Sequence, residues 1–486
     1  MTGSLPGGPR PAAPCTAAVP SAPTEGPGVS DSYLPHHGDD GYRVTAYDLD
    51  LEYIPHTGRL AGRAGITAVA CRNLPVLALD LGPFKIHKVL VDGRRPARWS
   101  HRAGKLRITP DRPLPAGTAF TAEVRYQGVP QPVRTREWGE LGWEQLDEGA
   151  LVASQPHGAP SWFPCNDRPD DKAAYRIAMT APTPYTVVAN GRLTSRTSGS
   201  STTRWVYEQT APMATYLATV QIGPYERVPV PGSDVHRVPQ SAAVPRPLLT
   251  RFAHDFARQH RMIALFEDRF GPYPFDEYTV VVTADDLDVP VEAEGLAVFG
   301  ANHVDGARGS ERLIAHELAH QWFGNSLTVA DWRHIWLNEG FAKYAEWLWS
   351  EASGGPSAAV MAARSRAVIA RLPQDLRLAD PGLRRLFDDR VYERGALTLH
   401  ALRTVVGDTA FTALLREWTA VHRHGLVTTE GFIALAERHA GPGVLDGLFR
   451  EWLYEKRLPE LPSTGPEPGP VPDPARPSRS RVQPTG

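Results

Sequence analysis

The sequence predicts an α+β multidomain protein, in which an all-β domain is followed by a mainly helical α/β domain. Between about 42 and 230, apolar and β-branched residues recur at every second position in short runs that Gly, Pro, Asp and Asn separate. That period is typical of strands. From about 246 onward the apolar residues recur with the helical period instead. The 486 residues are enough for two or three domains.

Within the first part, the alternation is clearest in four segments, which we predict as strands. These segments are 42–53, 105–109, 120–126 and 203–207. In the second part, apolar residues between 248 and 266 fit one face of a helix, and 278–283 reads as a buried strand. Helical patterns then dominate from 310 to about 456.

The hydrophobic periods and the composition together predict four regions in the chain. Residues 42–230 form the all-β domain, and residues 231–461 form the second domain. The Pro/Gly/Ala-rich segment 1–41 and the Pro-rich segment 462–486 are predicted to be disordered tails, because such compositions bury too little apolar surface to fold.

Composition and charge exclude several classes of function. A formal net charge of −2 offers no basic field for nucleic acid. No run approaches the roughly 18 apolar residues of a membrane span, and the first residues lack the pattern of a signal peptide. The three cysteines are scattered, which argues against a disulfide framework or a cysteine-built metal site. We therefore expect a cytoplasmic protein that binds neither nucleic acid nor membrane; the oligomeric state is left open.

The segment 314–324 predicts a metal site. His316 and His320 are four residues apart, so on a helix both imidazoles project from one face, one turn apart, where a single ion can bridge them. Neutral imidazole is a standard zinc ligand. Glu317 lies about 100° around the helix, where it can touch a water on the metal without binding the metal itself. We expect one Zn²⁺ per chain.

Two histidines leave such a site incomplete. Glu339, in an Asn-Glu-Gly sequence that opens a second helical run at 341–349, is the candidate third ligand. Glu346 follows Glu339 by seven residues and shares its helix face. We expect Glu346 to accept the second ring N–H of a histidine ligand.

These motifs resemble the M1 family of metalloaminopeptidases, the gluzincins that include aminopeptidase N and leukotriene A4 hydrolase. The H-E-x-x-H sequence is followed after 18 residues by the glutamate of a W-L-N-E-G-F segment at 336–341, whereas thermolysin-type endopeptidases use a slightly longer gap. Segments 155–173, 212–217, 271–275 and 391–396 also resemble family signatures. The resemblance covers about 42–461. It implies a saddle-like β domain and a thermolysin-like catalytic domain, in a short form without the family's C-terminal helical domain.

The resemblance also implies roles for further residues. Tyr392 would donate its phenolic proton to the oxyanion, and Gln155 would contact the free amino group of the substrate. Glu292 precedes His316 by 24 residues and falls where the family's G-A-M-E-N motif has its amine-binding glutamate. That motif is degenerate here, since the chain reads V-P-V-E-A-E-G-L at 289–296, and Glu294 is a nearby competitor for the role.

The expected activity is therefore that of a zinc-dependent aminopeptidase, which hydrolyses the N-terminal peptide bond of peptides by metal-activated water. Its partners are peptide substrates with a free N-terminus. Two alternatives remain open: an endopeptidase or epoxide hydrolase on the same scaffold, and a catalytically silent binding protein. Against the second, the residues His316, Glu317, His320, Glu339 and Tyr392 are all present.

Overall fold

The computed structural model of the protein describes residues 31–462. The expected tail regions 1–30 and 463–486 lie outside the described residues, as does Cys15. The described part contains a β-rich N-terminal domain followed by a mainly helical domain, which confirms the predicted fold class.

The N-terminal domain is built from three sheets. Its strands are β1 (Tyr42–Ile54), β2 (Arg59–Ala70), β3 (Leu77–Asp80), β4 (Lys85–Val91), β5 (Arg98–Arg102), β6 (Lys105–Thr109), β7 (Ala119–Gly128), β8 (Val133–Thr135), β9 (Gly139–Leu146), β10 (Gly149–Ala153), β11 (Lys172–Pro182), β12 (Thr186–Ala189), β13 (Arg192–Ser198), β14 (Thr202–Ala214) and β15 (Val220–Gly223).

Seven of these strands form a large sheet in the order β13-β14-β11-β1-β2-β7-β4, and five form a second sheet in the order β12-β15-β10-β9-β8. Strands β3, β6 and β5 form the third sheet. In the large sheet, β1 runs parallel to β11 and pairs Tyr47 with Tyr175, whose rings stack 4.9 Å apart. Tyr47 also meets Phe163 edge to face at 5.5 Å, so aromatic rings fill the core beneath the sheet.

The second domain combines a mixed sheet with helices. Its elements are β16 (Tyr225–Pro229), β17 (Gln240–Pro245), α1 (Leu249–Asp255), α2 (Gln259–Phe270), β18 (Tyr278–Val282), β19 (Val291–Ala293), β20 (Leu296–Phe299), α3 (Glu311–Ala319), β21 (Thr328–Val329), α4 (Trp336–Ala352), α5 (Ala358–Ile369), α6 (Asp389–Val406), α7 (Asp408–Val421), β22 (Leu426–Val427), α8 (Thr429–Ala440) and α9 (Asp446–Phe449).

The sheet of this domain has the order β16-β17-β18-β20-β19, with the three central strands parallel and both edge strands antiparallel. Because β16 belongs to it, the expected domain boundary at 230 falls within the sheet rather than before it. The expected helical face at 248–266 is divided between α1 and α2. At the end of α1, the Asp255 carboxylate accepts backbone hydrogen bonds from Gly306 and Arg308, a tertiary anchor that periodicity does not reveal.

Residues 31–41 differ from the expectation of a disordered tail. The Asp31 carboxylate accepts a hydrogen bond from the backbone of Trp332 at 2.8 Å, and Ser32 donates to Asp331 at 2.6 Å. Farther along, the backbone of Gly38 donates to Asp80 of the N-terminal domain at 2.7 Å. The segment therefore contacts both domains, because its polar groups find tertiary partners that composition alone cannot predict.

Helices α4 and α6 cross at two glycines, and this crossing positions the site. A Cβ atom on Gly340 would lie 2.7 Å from the Cα of Gly395, and one on Gly395 would lie 2.6 Å from the Cα of Gly340. Since real Cβ atoms do not approach backbone so closely, both positions require glycine for this contact. The crossing sets Glu339 of α4 beside the helix that carries Tyr392. Across residues 31–462, the structure contains no helix both long and apolar enough to span a bilayer.

Candidate metal centre and active site

Two imidazoles and a carboxylate converge between α3 and α4. His316 lies in the last turn of α3, and His320 continues its helical backbone one residue beyond the end. Nε2 of His316 lies 3.7 Å from Oε2 of Glu339, and Nε2 of His320 lies 3.5 Å from the same oxygen. Helix α4 begins at Trp336, earlier than the sequence indicated, so Glu339 lies within its first turn. All three side chains are buried.

This donor set fits zinc. Four ligands in tetrahedral positions about 2.0–2.1 Å from an ion lie about 3.3 Å apart, close to the separations of these atoms. The other ring nitrogens are already engaged: Nδ1 of His316 lies 2.9 Å from Oε1 of Glu346, and Nδ1 of His320 lies 3.0 Å from the carbonyl oxygen of Phe323. With the proton on Nδ1 in each ring, both Nε2 lone pairs face Glu339 and are available to a metal.

Glu346 lies among three cationic or polar partners. Besides the His316 ring, Nζ of Lys343 lies 3.1 Å from its Oε2 and a guanidinium nitrogen of Arg312 lies 3.6 Å from its Oε1. Burial opposes ionisation of Glu346, but the hydrogen bond from His316 and the neighbouring positive charges bring its pKa below the usual value. The group is therefore an anion suited to hold the His316 ring in one orientation.

Glu317 is buried beside this ligand set. Its Oε2 atom has no hydrogen-bond partner among the described residues, which is costly for a carboxylate unless a bound group completes the site. Burial raises the pKa of Glu317 well above its usual value; the His316 charge opposes this rise, while Glu292 and Glu339 add to it. One oxygen each from Glu317 and Glu292 and one His320 nitrogen lie within 4.8 Å of one another.

Glu292 and Glu294 face different surroundings, although only one residue separates them. Glu292 lies in β19, half-buried, with one carboxylate oxygen close to an oxygen of Glu317 and to a ring nitrogen of His320. Glu294 follows the strand and is fully buried on the side of the N-terminal domain, where Nε2 of Gln209 donates to its Oε1 at 2.6 Å. Of the two candidates for the amine-binding role, the structure brings Glu292 to His320 and directs Glu294 away from it.

Tyr392 is the fourth residue of α6, and its ring stacks on that of His316 with centroids 6.0 Å apart. Burial raises the pKa of its hydroxyl well above the usual value, and the charges of Glu339, Glu292 and Glu317 add to the rise. The phenol is therefore held in its protonated form, which can donate a hydrogen bond.

Gln155 enters from the N-terminal domain, two residues after the end of β10, and is joined to Pro156 by a cis peptide bond. It is half-buried, and its Nε2 atom has no hydrogen-bond partner among residues 31–462. Two residues later, His157 packs against Trp138 at 5.6 Å. Trp138 in turn reaches Phe387, just before α6, at 6.0 Å, so an aromatic contact joins the two domains beside Gln155.

Two domain models of one protein family match most of the chain. The family model of the Peptidase M1 N-terminal domain matches residues 44–217, and that of the Peptidase family M1 domain matches residues 254–452. The chain belongs to peptidase family M1.

Relatives of this M1 chain include Aminopeptidase M1-B of Oryza sativa subsp. japonica, with 26% identity over 331 residues, which cover 64% of this chain and 38% of the relative. Endoplasmic reticulum aminopeptidase 1 of Homo sapiens is 27% identical over 356 residues, which cover 66% of this chain and 37% of the relative. The chain thus spans about two fifths of the length of these curated relatives.

This chain covers a larger share of similar solved structures than of these curated relatives. An M1 zinc metallopeptidase mutant from Deinococcus radiodurans bound to a Tyr-Ser-Ala substrate is similar with a TM-score of 0.82 and 32% identity, covering 90% of this chain and 100% of that chain. Native yeast LTA4 hydrolase shares the fold, with a TM-score of 0.74 and 21% identity over 92% of this chain and 72% of that one.

Sequence reasoning missed the side chains of this M1 chain that hold the strand carrying Glu292. Gln321 and Asn325 donate hydrogen bonds to the carbonyl oxygen of Ala293 at 3.1 and 2.9 Å, and Oε1 of Gln321 accepts from the backbone of Gly295 at 2.8 Å. Both residues are fully buried. The sequence shows Gln321 and Asn325 among the apolar residues Trp322, Phe323 and Leu327, but it does not show their partners, which are 26 to 32 residues away along the chain.

Proposed function

We propose that the chain is a zinc-dependent aminopeptidase, which hydrolyses the first peptide bond of peptides with a free amino terminus. The observation that carries this proposal is the position of Glu292, since one of its carboxylate oxygens lies within 4.8 Å of an oxygen of Glu317 and of a ring nitrogen of His320. A carboxylate so close to a hydrolytic centre can bind an ammonium group only if the terminal peptide bond lies at that centre.

His316, His320 and Glu339 are the proposed ligands of one Zn²⁺. Zinc held by these three side chains would supply Lewis-acid chemistry, polarising the scissile carbonyl and lowering the pKa of a water molecule. Glu346 orients the His316 ring through the 2.9 Å contact to Nδ1.

Glu317 is the proposed general base. Its free Oε2 atom faces no protein partner, so it can accept the proton of the attacking water. The raised pKa of the Glu317 carboxyl favours uptake of this proton, which the same carboxyl then passes to the leaving amine.

Tyr392 is the proposed electrophile. Its hydroxyl stays protonated in these buried, acidic surroundings, and it donates a hydrogen bond to the oxyanion as negative charge develops on the carbonyl oxygen. Glu292 binds the terminal ammonium, and the carbonyl oxygen of the Gln155 side chain is the proposed second acceptor for the same group, since an ammonium only donates hydrogen bonds.

A panel of aminoacyl fluorogenic amides, each free and N-acetylated, tests the proposal. Free substrates should be cleaved and acetylated ones should react about 10- to 100-fold more slowly, because acetylation removes the charge that Glu292 binds, a contact worth about 1.5–3 kcal/mol. A zinc chelator should abolish turnover, and added Zn²⁺ should restore it. Equal rates for both substrate forms would instead indicate an endopeptidase. The cytoplasmic location and the stoichiometry of one zinc per chain stay predictions.

A further inference from the structure

The strand that carries Glu292 is fixed first from within its own domain. Gln321, directly after His320, holds both the carbonyl of Ala293 and the backbone N–H of Gly295. Asn325 adds a second hydrogen bond to the same carbonyl at 2.9 Å. The backbone between Glu292 and Glu294 is therefore tied to the segment that follows the H-E-x-x-H helix.

Two side chains of the N-terminal domain donate hydrogen bonds to Glu294. Nε2 of Gln209, in β14, donates to Oε1 of Glu294 at 2.6 Å, and Nδ2 of Asn190 donates to the backbone carbonyl of Glu294 at 3.0 Å. Asn190 is itself fixed, because it also donates to the carbonyl of Leu217 at 2.9 Å and accepts from the backbone of Thr219 at 2.6 Å. Glu294 is thus held by two side chains of the N-terminal domain, one of which has further hydrogen bonds within that domain.

Lys172, in β11 of the N-terminal domain, contacts the segment that contains Asn325. Its Nζ donates to the carbonyl oxygens of Asn325 and Ser326 at 3.0 and 2.9 Å. Burial raises the pKa of Glu294 to about 8, against the opposing effects of the Lys172 charge and the Gln209 hydrogen bond. At neutral pH Glu294 is therefore mainly the neutral acid, whose oxygen still accepts the hydrogen bond from Gln209.

We propose that Glu294, held by Gln209, is a positioning residue through which the N-terminal domain sets the place of the Glu292 carboxylate. The inference rests on the proposed role of Glu292 as the amine anchor. The Glu294 side chain is fully buried, and its Oε2 atom has no hydrogen-bond partner among residues 31–462, so the contact from Gln209 to Oε1 is the side-chain hydrogen bond that holds it. A variant without the Gln209 amide leaves a buried polar group unpaired, and the turn at 293–295 must shift to relieve it. A displacement of about 1 Å at an anchoring group costs up to about 100-fold in rate.

The test compares Gln209→Leu with Glu208→Gln, which changes the exposed residue next to Gln209 in β14. Gln209→Leu should raise KM for free-amine peptide amides about 10-fold, with kcat within about 2-fold, because ammonium binding is weakened while the base and electrophile are untouched. Cleavage of N-acetylated substrates and zinc content should not change. Glu208→Gln should match the wild-type chain in all four measurements.

Substitutions at Glu294 separate positioning from a purely structural effect. Glu294→Gln keeps an acceptor oxygen for Gln209 and should stay within about 3-fold of wild type, whereas Glu294→Leu should reproduce the KM increase of Gln209→Leu. Wild-type KM and free-amine selectivity in folded, zinc-loaded Gln209→Leu and Glu294→Leu would overturn the inference. A wild-type chain that cleaves neither substrate form would instead contradict the proposed function, and the inference with it.

Discussion

Nδ1 of His316 lies 2.9 Å from Oε1 of Glu346, which follows Glu339 by seven residues on the same helix. One face of α4 therefore supplies both a candidate metal ligand and the carboxylate that orients another ligand. Lys343 adds a third contact to this face, since its Nζ lies 3.1 Å from Oε2 of Glu346 and 3.1 Å from Oε1 of Glu393 on α6. The orientation of His316 is thus coupled to the packing of α4 against α6.

Glu346→Gln should weaken zinc binding by about 10- to 100-fold, because the amide is a poorer acceptor for the Nδ1 proton of His316 and carries no charge. Competition with a chromogenic chelator measures the affinity. Glu52→Gln, which changes an exposed glutamate of β1, is the matched control and should bind zinc as the wild-type chain does. An affinity of Glu346→Gln equal to that of the control would contradict the orienting role of Glu346.

Glu317→Gln should lower kcat by at least about 100-fold while zinc stays bound, because general-base catalysis is worth about 10²–10⁴-fold. The melting temperature of the metal-free Glu317→Gln variant should not fall below that of the wild-type chain. Since burial raises the pKa of Glu317 in the folded chain, the isosteric neutral amide relieves a desolvation cost. Steady-state kinetics, metal analysis and thermal melting of the metal-free protein provide the three readouts. Residual activity above about 1% of wild type would exclude Glu317 as the base.

Tyr392→Phe should lower kcat far more than it alters KM, because the hydroxyl acts on charge that develops only in the transition state. Loss of one such donor typically costs about 10²–10³-fold in kcat. The phenylalanine ring retains the stacking on His316, so the zinc affinity should stay at the wild-type value and serves as the internal control. Equal kcat values for the two forms would assign the oxyanion donor elsewhere.

The residues of the candidate site that spacing alone predicted are those fixed by local helix geometry, whereas Tyr392, Glu292 and Gln155 were expected from the family resemblance. A spacing of four brings His316 and His320 to one face of a helix, and a spacing of seven does the same for Glu339 and Glu346. These relationships hold within a single element, so neither the sheet order nor the packing of domains is needed to derive them.

The contacts that escaped sequence analysis depend on tertiary structure. Gln209 lies 85 residues before Glu294, and its partner depends on how β14 meets the second domain. Likewise Asp31 finds the backbone of Trp332 at a separation of 301 residues, which is why 31–41 read as a tail from composition alone. Hydrophobic period and composition carry no information about such pairings.

Gly395→Ala tests whether the crossing of α4 and α6 positions the site. The added methyl would lie 2.6 Å from the Cα of Gly340, so the two helices must separate, and overpacking of this kind destabilises by about 1–3 kcal/mol. The shift also carries Tyr392 away from Glu339, so kcat should fall even at temperatures where the variant is fully folded. Gly447→Ala in α9 is the matched control, because nothing lies within 4 Å of its added methyl.

Replacing this helical glycine by alanine should leave the free energy of unfolding unchanged or raise it by up to about 1 kcal/mol. Denaturant unfolding with kinetics at the same temperature distinguishes the two variants, and wild-type values for Gly395→Ala in both measurements would show that the helices tolerate a wider crossing.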